Sequence, residues 1–324
     1  MSDLMRAMTI SEFGGPEVLQ LREVPRALQV RDEVLVRVHA AGVNPIDAKT
    51  RAGGGMSNAI PTLPWILGAE FAGVVENAPY ELSPFQPGDE VFGIVPLARY
   101  PGTYAEYVSA PSMSLVHKPT NLTMQQAAGV PLAALTAWAG VVDIARVCTG
   151  QRMLIHAGAG GVGHFAVQLA KFYGAWVATT ASAENHEWLR ELGADQVIDY
   201  RNERFEDVLD APVDVVLDLI GNVRDNTGSR SLNVLRDGGL IVNVPTGSWA
   251  TIHDEVAAAG RGLRASGLKL ADDGVALRTI AQLFAQGDLQ THVDAVYPLS
   301  EAGAAHERVM QGHTRGKIVL DTLS

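Results

Sequence analysis

The chain of 324 residues holds one cysteine, Cys148, so it can form no internal disulfide and no multi-cysteine zinc site. That usage fits a reducing compartment, and the cytoplasm is the expected location. Long apolar runs are missing too. The longest weakly polar stretch, Ala127 to Val142, contains Pro131 and Thr136 and stops at Asp143, short of the ~18–20 residues that span a membrane. The opening MSDLMRAMTISEFGG has no continuous apolar core of the kind a secretory signal needs. Basic residues are the minority, 25 Lys and Arg against 36 Asp and Glu, and form no run. With a net charge of −11, capture of nucleic acid or of an anionic membrane is not expected. No internal repeat and no low-complexity segment is present. What is abundant is apolar residues, 47%, and glycine, 33 of 324, about a tenth against a usual ~7%. The chain can bury a sizeable core, and its glycines must mark turns or close backbone approaches.

The first ~125 residues carry short β-branched stretches, Glu33 to Val38, Glu70 to Glu76 and Glu90 to Val95, punctuated by Gly and Pro. From Thr123 the character changes. An Ala-rich helical stretch precedes a strand at Arg152 to His156, a cluster of glycines, and a helix with Val162, Phe165, Ala166, Leu169 and Tyr173 on one face. Strands are then expected at Trp176 to Thr180, Gln196 to Asp199, Val213 to Leu219, Leu240 to Val244 and near Gly267 to Leu270, with helices at 183–192 and 274–285. Alternation of this kind predicts an α/β fold with a doubly wound parallel sheet. The tail from about Leu289 returns to strands, ending in Lys317 to Leu320, and is expected to fold back onto the first half. The expected domains are therefore 1–124 with 289–324, and 125–288.

Gly158-Ala159-Gly160-Gly161-Val162-Gly163 contains G-x-G-x-x-G between a hydrophobic strand and an amphipathic helix. In that context the first glycine makes the turn, the second admits a pyrophosphate and the third lets helix and strand pack closely. A helix N-terminus there presents free N–H groups to phosphate. An NAD site usually carries Asp or Glu at the end of the next strand. Here that strand ends Thr179-Thr180-Ala181-Ser182, with no acid. NADPH is the expected cofactor, with Ser182 and Asn185 as donors to its 2′-phosphate. Glu184 in the same loop has the wrong sign, and Ser182 reads equally as a helix N-cap.

Together these segments resemble the medium-chain dehydrogenase/reductase superfamily. The matching stretches are Ala40 to Asp47, Leu67 to Val75, Gly88 to Gly93, Gly102 to Tyr107, the turn at 157–163, Leu192-Gly193-Ala194-Asp195 with Tyr200, and Gly316 to Val319. They keep their order over nearly the whole chain and are most similar to the zinc-less quinone oxidoreductase-like branch. The resemblance implies a GroES-like, mostly β domain for substrate, a Rossmann domain, a cleft between them, and a homodimer. It also implies that Asn44 lies near nicotinamide and substrate, Thr136 near the nicotinamide ribose and Tyr200 near the 2′-phosphate. Asn185 falls where related enzymes often have a basic residue. The alcohol dehydrogenase branch has Cys near position 44 and His near 69; here they are Asn44 and Ala69. Glu70 alone makes no zinc site, the four-cysteine lobe is missing, and no close H-x-x-H pair occurs. A metal-free site is expected.

The expected activity is NADPH-dependent reduction of quinones or α,β-unsaturated carbonyl compounds. The alternatives are an enoyl-thioester reductase and a non-catalytic NADPH-binding or structural protein. Candidate carbonyl-polarising donors are Asn44 and Lys49. The Asp47 and Arg51 side chains beside them read equally as a solvated turn with a local ion pair. Candidate cofactor residues are Thr136, Gly158, Gly160, Gly161, Val162, Gly163, Ser182, Asn185 and Tyr200. His164 reads as an exposed first-turn histidine and Cys148 as a small packed residue.

Overall fold

The computed structural model describes residues 3–30, 32–223, 225–270 and 272–324. Strands β1 (Leu4–Ile10), β2 (Leu19–Pro25), β3 (Glu33–Val43), β4 (Trp65–Ile66), β5 (Glu70–Asn77), β6 (Glu90–Ile94), β7 (Tyr107–Pro111) and β8 (Leu115–His117) come first, with helix α1 (Pro45–Arg51) among them. Helices α2 (Met124–Ala128) and α3 (Pro131–Trp138) follow. Next come β9 (Arg152–Ile155), α4 (Gly163–Phe172), β10 (Trp176–Ala181), α5 (His186–Glu191), β11 (Gln196–Asp199), α6 (Phe205–Val208) and β12 (Val213–Asp218). The remainder is α7 (Thr227–Ser231), β13 (Leu235–Asn243), α8 (Ile252–Ala258), β14 (Arg264–Gly267), α9 (Gly274–Gln286), β15 (Val293–Pro298), α10 (Ala302–Met310) and β16 (Lys317–Asp321).

Two compact units result. One takes the chain to Leu135 together with the segments ending at Gly287 and running from Thr291 to Ser324; the other is Thr136–Leu270 with Asp288–Gln290. In the second unit six strands run parallel in the order β11-β10-β9-β12-β13-β14. This is the 3-2-1-4-5-6 order of a dinucleotide-binding Rossmann fold. Its strands read as nearly unbroken apolar runs because both faces are covered: Met153, Leu154 and Ile155 are fully buried, as are Val216 and Leu217. Helix α4 lays Phe165, Ala166, Leu169 and Ala170 against the sheet, all fully buried. Each large apolar side chain so placed contributes about 2–3 kcal/mol.

In the first unit, β3 is the spine. It pairs antiparallel with β5, β7 and β16, and the register Ile318↔Val43 and Val319↔Gly42 stitches the tail onto it. A small sheet, β2-β1-β4, stands beside the larger one. The units differ from the expected spans: residues 125–135, with α2 and the first turn of α3, belong to the first unit, and so does α9. That helix, read from its periodicity as part of the parallel sheet's cover, belongs to the first unit, where Asn121 Nδ2 donates to Phe284 O at 2.8 Å and Ser114 Oγ to Asp272 Oδ2 at 3.0 Å. Periodicity shows that a helix has an apolar face, not which sheet receives it. Likewise β13 begins at Leu235, five residues before the expected start. An irregular register between Val213 and Val215 lets it pair with β12 across its two glycines. Among the described residues, no helix is long and apolar enough to cross a membrane.

Candidate active site

Between β9 and α4 the chain turns through Ala157, whose φ of 54° lies in the left-handed region. A hydrogen-bonded chain holds this turn. The Ala157 N–H donates to Thr180 Oγ1 at 3.1 Å, and His156 sits between Thr180 Oγ1 (3.3 Å) and Ser231 Oγ (2.8 Å). Ser231 spends its own hydrogen on Thr227 O at 2.7 Å. His156 must therefore donate from Nε2 and accept at Nδ1, and burial, the largest cause, lowers its pKa to about 4. The three motif glycines divide by what surrounds them. A Cβ at Gly158 would come within 2.0 Å of Thr179 Oγ1, and one at Gly163 within 2.2 Å of Ala157 O. At Gly160 the nearest atom would be Ala157 O at 3.3 Å. The outer glycines thus serve packing and the middle one leaves open backbone, which fits a pyrophosphate approaching the N-terminus of α4. Gly161 and Val162 complete the turn and are half-buried.

At the ends of β10 and β11 a second group gathers. Ser182 is buried and half-buried Asn185 donates Nδ2 to its Oγ at 3.1 Å; Ser182 makes no side-chain cap bond. Tyr200 is 51% exposed. Beside it stands Arg201, which the sequence reading passed over; its guanidinium lies 5.7 Å from the Tyr200 ring centre and its Nη1 is 3.5 Å from Glu184 Oε2. The wrong-signed Glu184 thus has a counter-charge in the same corner. Thr136 is buried on α3. Two expectations need correction. His164 is fully buried, with Trp188 stacked 5.9 Å away, because the first turn of α4 tucks under α5. Cys148 is exposed, in the turn that precedes β9.

The first unit carries a buried polar cluster. Asn44, 3% exposed, donates Nδ2 to Glu70 Oε1 at 2.7 Å, while its Oδ1 accepts from Lys317 Nζ. Lys317 Nζ is also 2.9 Å from Glu70 Oε1 and donates to Val43 O at 3.2 Å; the other Glu70 oxygen accepts from Leu132 N at 2.7 Å. Gly42 makes room: a Cβ there would lie 2.2 Å from Glu70 Oε1 and 2.6 Å from Ala128 O. Lys317 lies in the Gly316 to Val319 stretch, to which the sequence assigns no role. The lysine expected at the site, Lys49, is exposed on α1 and takes no part in this cluster.

Asp47 and Arg51 do not form a solvated turn. Both are buried, at 4% and 7% exposure, because α1 packs this face against α10 and the β4–β5 segment. Asp47 Oδ2 accepts from Asn44 N at 2.9 Å and from Tyr104 OH at 3.3 Å, and Tyr104 OH is 3.1 Å from His306 Nε2. Burial first, then the Glu70 charge, push the Asp47 carboxyl up to about 7 against the pull of Asn44, Lys317 and Tyr104. Burial and then Arg51 push His306 down to about 3. Among the described residues, no group of three or more His, Cys, Asp or Glu side chains is placed to hold a metal ion.

Comparison with known proteins bears on all of this. Residues 30–120 match the alcohol dehydrogenase GroES-like domain, and residues 192–320 match a family described as zinc-binding dehydrogenase. The chain is 32% identical to the mitochondrial NAD(P)H oxidoreductase RTN4IP1 of Bos taurus, over 99% of this chain and 90% of that protein. It is 35% identical to the chloroplastic NADPH-dependent alkenal/one oxidoreductase of Arabidopsis thaliana, over 98% and 79%. The solved structure of the quinone oxidoreductase from Coxiella burnetii superposes with a TM-score of 0.90 at 39% identity, over 98% of this chain and 99% of that one. With its parallel sheet in Rossmann order, its GroES-like first unit and relatives matched along nearly its full length, the chain belongs to the medium-chain dehydrogenase/reductase superfamily, in the zinc-less quinone oxidoreductase-like branch.

Proposed function

We propose that this protein is an NADPH-dependent reductase of quinones and other conjugated carbonyl compounds, working without a metal ion. The observation that carries the reading is the chemistry gathered at Asn44: an amide, a carboxylate and an ammonium, hydrogen-bonded to one another. No thiolate or imidazole stands at position 44 or 69, so the donor set does not fit a catalytic zinc. Reducing a saturated ketone puts a full charge on oxygen that a metal would stabilise. A conjugated enone or quinone spreads the arriving electrons and needs only a hydrogen bond. The names of the alkenal/one and quinone oxidoreductase relatives agree with that class.

NADPH, when bound, supplies a hydride from its nicotinamide C4. The chain's residues bind and orient it. The backbone of Gly158 to Gly163 receives the pyrophosphate at α4, Thr136 serves the ribose next to the nicotinamide, and Ser182, Asn185, Tyr200 and Arg201 hold the 2′-phosphate. Arg201 supplies the cation missing at Asn185. Asn44 has two Nδ2 hydrogens and one is spent on Glu70; the other is the donor that polarises the acceptor's carbonyl. The Lys317–Glu70 pair fixes the amide so that nitrogen, and not oxygen, keeps this role.

The test is NADPH and NADH oxidation with quinones, enones, enoyl-thioesters and saturated ketones, before and after chelation, with titration of both cofactors on wild type and Arg201→Ala. Conjugated acceptors should turn over, chelation should change nothing, and Arg201→Ala should weaken NADPH about tenfold, as losing one charge-assisted contact would, while leaving NADH unchanged. Preference for saturated ketones, loss of turnover on chelation, or equal effects of the variant on both cofactors would each refute the corresponding part.

A further inference from the structure

The first unit contains a pocket over α1, lined among others by Ile46, Asp47, Thr50, Trp65, Leu67 and Arg99. Among its described lining residues only Asp47 and Arg99 are ionisable. The Arg99 Nη2 donates to Glu33 Oε2 at 2.6 Å. Asp47 is the one carboxyl among the described lining residues. Its two oxygens are not equivalent. Oδ2 already accepts from Asn44 N and Tyr104 OH, so a proton on this carboxyl belongs on Oδ1. The ionised form keeps both donors and the protonated form needs no rearrangement.

We infer that Asp47 is the acid of the reduction, giving its Oδ1 proton to the acceptor. The inference rests on the reductase reading above. With an enone, the hydride and its electron pair form a new C–H bond at the β carbon. The C=C pair shifts to leave an enolate. The Asp47 O–H bond breaks as its proton bonds to the α carbon, or to oxygen with later tautomerisation. Asp47 is left as a carboxylate and takes its next proton from water. The sum is NADPH, a proton and the enone giving NADP⁺ and the saturated carbonyl. With a quinone, the hydride and its electron pair form a new bond to the acceptor, the ring aromatises to a hydroquinone monoanion, and the same proton goes to its phenolate oxygen, giving the hydroquinone and NADP⁺.

The surroundings suit such an acid. Burial first, and then Glu70 from β5, raise the carboxyl's proton affinity. Lys317 from β16, the Asn44 N–H and Tyr104 lower it, leaving it near 7, where an acid is both loaded and able to donate at neutral pH. On the far side of Tyr104 stand His306 of α10, fully buried with no hydrogen bond at Nδ1, and Arg51 of α1. The Tyr104 phenol is pushed well above its ordinary value, chiefly by burial and the Asp47 charge. It stays protonated as a fixed donor to the carboxylate Asp47 becomes.

The competing role for Asp47 is purely structural, as the third residue of α1 closing a capping box on Asn44. Asp47→Asn separates the two, because an amide oxygen still accepts from Asn44 N and Tyr104 OH but has no proton to give. The variant should bind NADPH within twofold of wild type and reduce enones ~10²-fold more slowly, the low end of general-acid effects. The wild-type rate should fall as pH rises through about 7, and that limb should be gone from Asp47→Asn. In the cofactor-free protein, an infrared carboxyl band present at pH 6 should vanish by pH 8.5 and be absent from the variant. Should Asp47→Asn fail to fold, Tyr104→Phe removes a donor to the carboxylate and should move limb and band to higher pH. A variant with unimpaired turnover, or a wild type with neither limb nor band near 7, makes Asp47 a helix cap only. A wild type inactive toward every conjugated acceptor removes the reductase reading and this inference together; an active wild type beside an unaffected Asp47→Asn removes the inference alone.

Discussion

Lys317 and Glu70, at 3% and 0% side-chain exposure, form a buried ion pair that Asn44 bridges. Burying two charges is costly, and their attraction compensates only while both are present. Lys317→Met should therefore destabilise the first unit by about 3–5 kcal/mol, since it leaves the Glu70 carboxylate buried and unpaired. Glu70→Gln combined with Lys317→Met should recover much of that loss, because the remaining amides can pair with each other. Denaturant unfolding of the single and double variants measures it; a Lys317→Met protein as stable as wild type would mean that Glu70 is held mainly by Leu132 N. Asn44 was visible as a candidate from the sequence because it matches an asparagine that the resembled branch carries near nicotinamide and substrate. Lys317 was not, because a partner 273 positions along the chain leaves no local trace, and an exposed lysine five residues from Asn44 looked the nearer choice. For Asp47 and Arg51 the sequence left a site cluster and a solvated turn equally open, because charged side chains after a proline look like a surface turn until α10 and the β4–β5 segment close over them.

The glycine turn could be read from the sequence together with its strand, helix and sheet type, because a buried parallel strand and an amphipathic helix each leave a pattern in a few consecutive residues. What could not be read was the use each glycine makes of its missing side chain. Gly163→Ala pushes a methyl to 2.2 Å from Ala157 O and 2.7 Å from Gly158 Cα, both backbone atoms that cannot step aside. It should unfold the second unit or lower its stability by several kcal/mol, at the severe end of overpacking. Gly160→Ala meets only Ala157 O at 3.3 Å. It should fold with near wild-type stability yet weaken NADPH by about tenfold or more, because the new methyl occupies the surface a pyrophosphate must approach. Thermal unfolding and cofactor titration of the pair check this. Equal loss of stability in both would mean that the middle glycine also serves packing. Cofactor choice was the least legible part: Arg201 follows Tyr200 directly, yet only the return of β11 beside β10 brings it to Glu184.

Across the molecule, the buried titratable groups give the two units different responses to acid. In the second unit His156 has a pKa near 4 when folded against about 6.5 when unfolded. The unfolded state binds the extra proton between those values, so stability is complete above pH 6.5 and is lost as pH falls toward 4. Glu206, where burial is outweighed by hydrogen bonds to Arg230 and its neighbours that together draw the carboxyl down to about 2, adds a further loss below the ordinary carboxylate range. In the first unit His306, near 3 when folded, acts in the same direction. Asp47 opposes it: with a folded value near 7 the native state binds the extra proton, and the unit gains stability as pH falls from 7 toward 4. Within that pair, one proton released and one taken up nearly cancel between about pH 4 and 6.5, and His39 and His292, both lowered chiefly by burial, add a further loss in acid. Acid should therefore open the second unit first. Hydrogen exchange of the cofactor-free protein at stepwise lower pH should lose protection in β9, β10 and β12 while β3 and β5 are still protected. Asp47→Asn should narrow that difference, since the opposing proton uptake is gone. Loss of protection in β3 and β5 first, or a gap unaffected by Asp47→Asn, would show that some other group governs the acid response and that Asp47 does not hold its proton to neutrality.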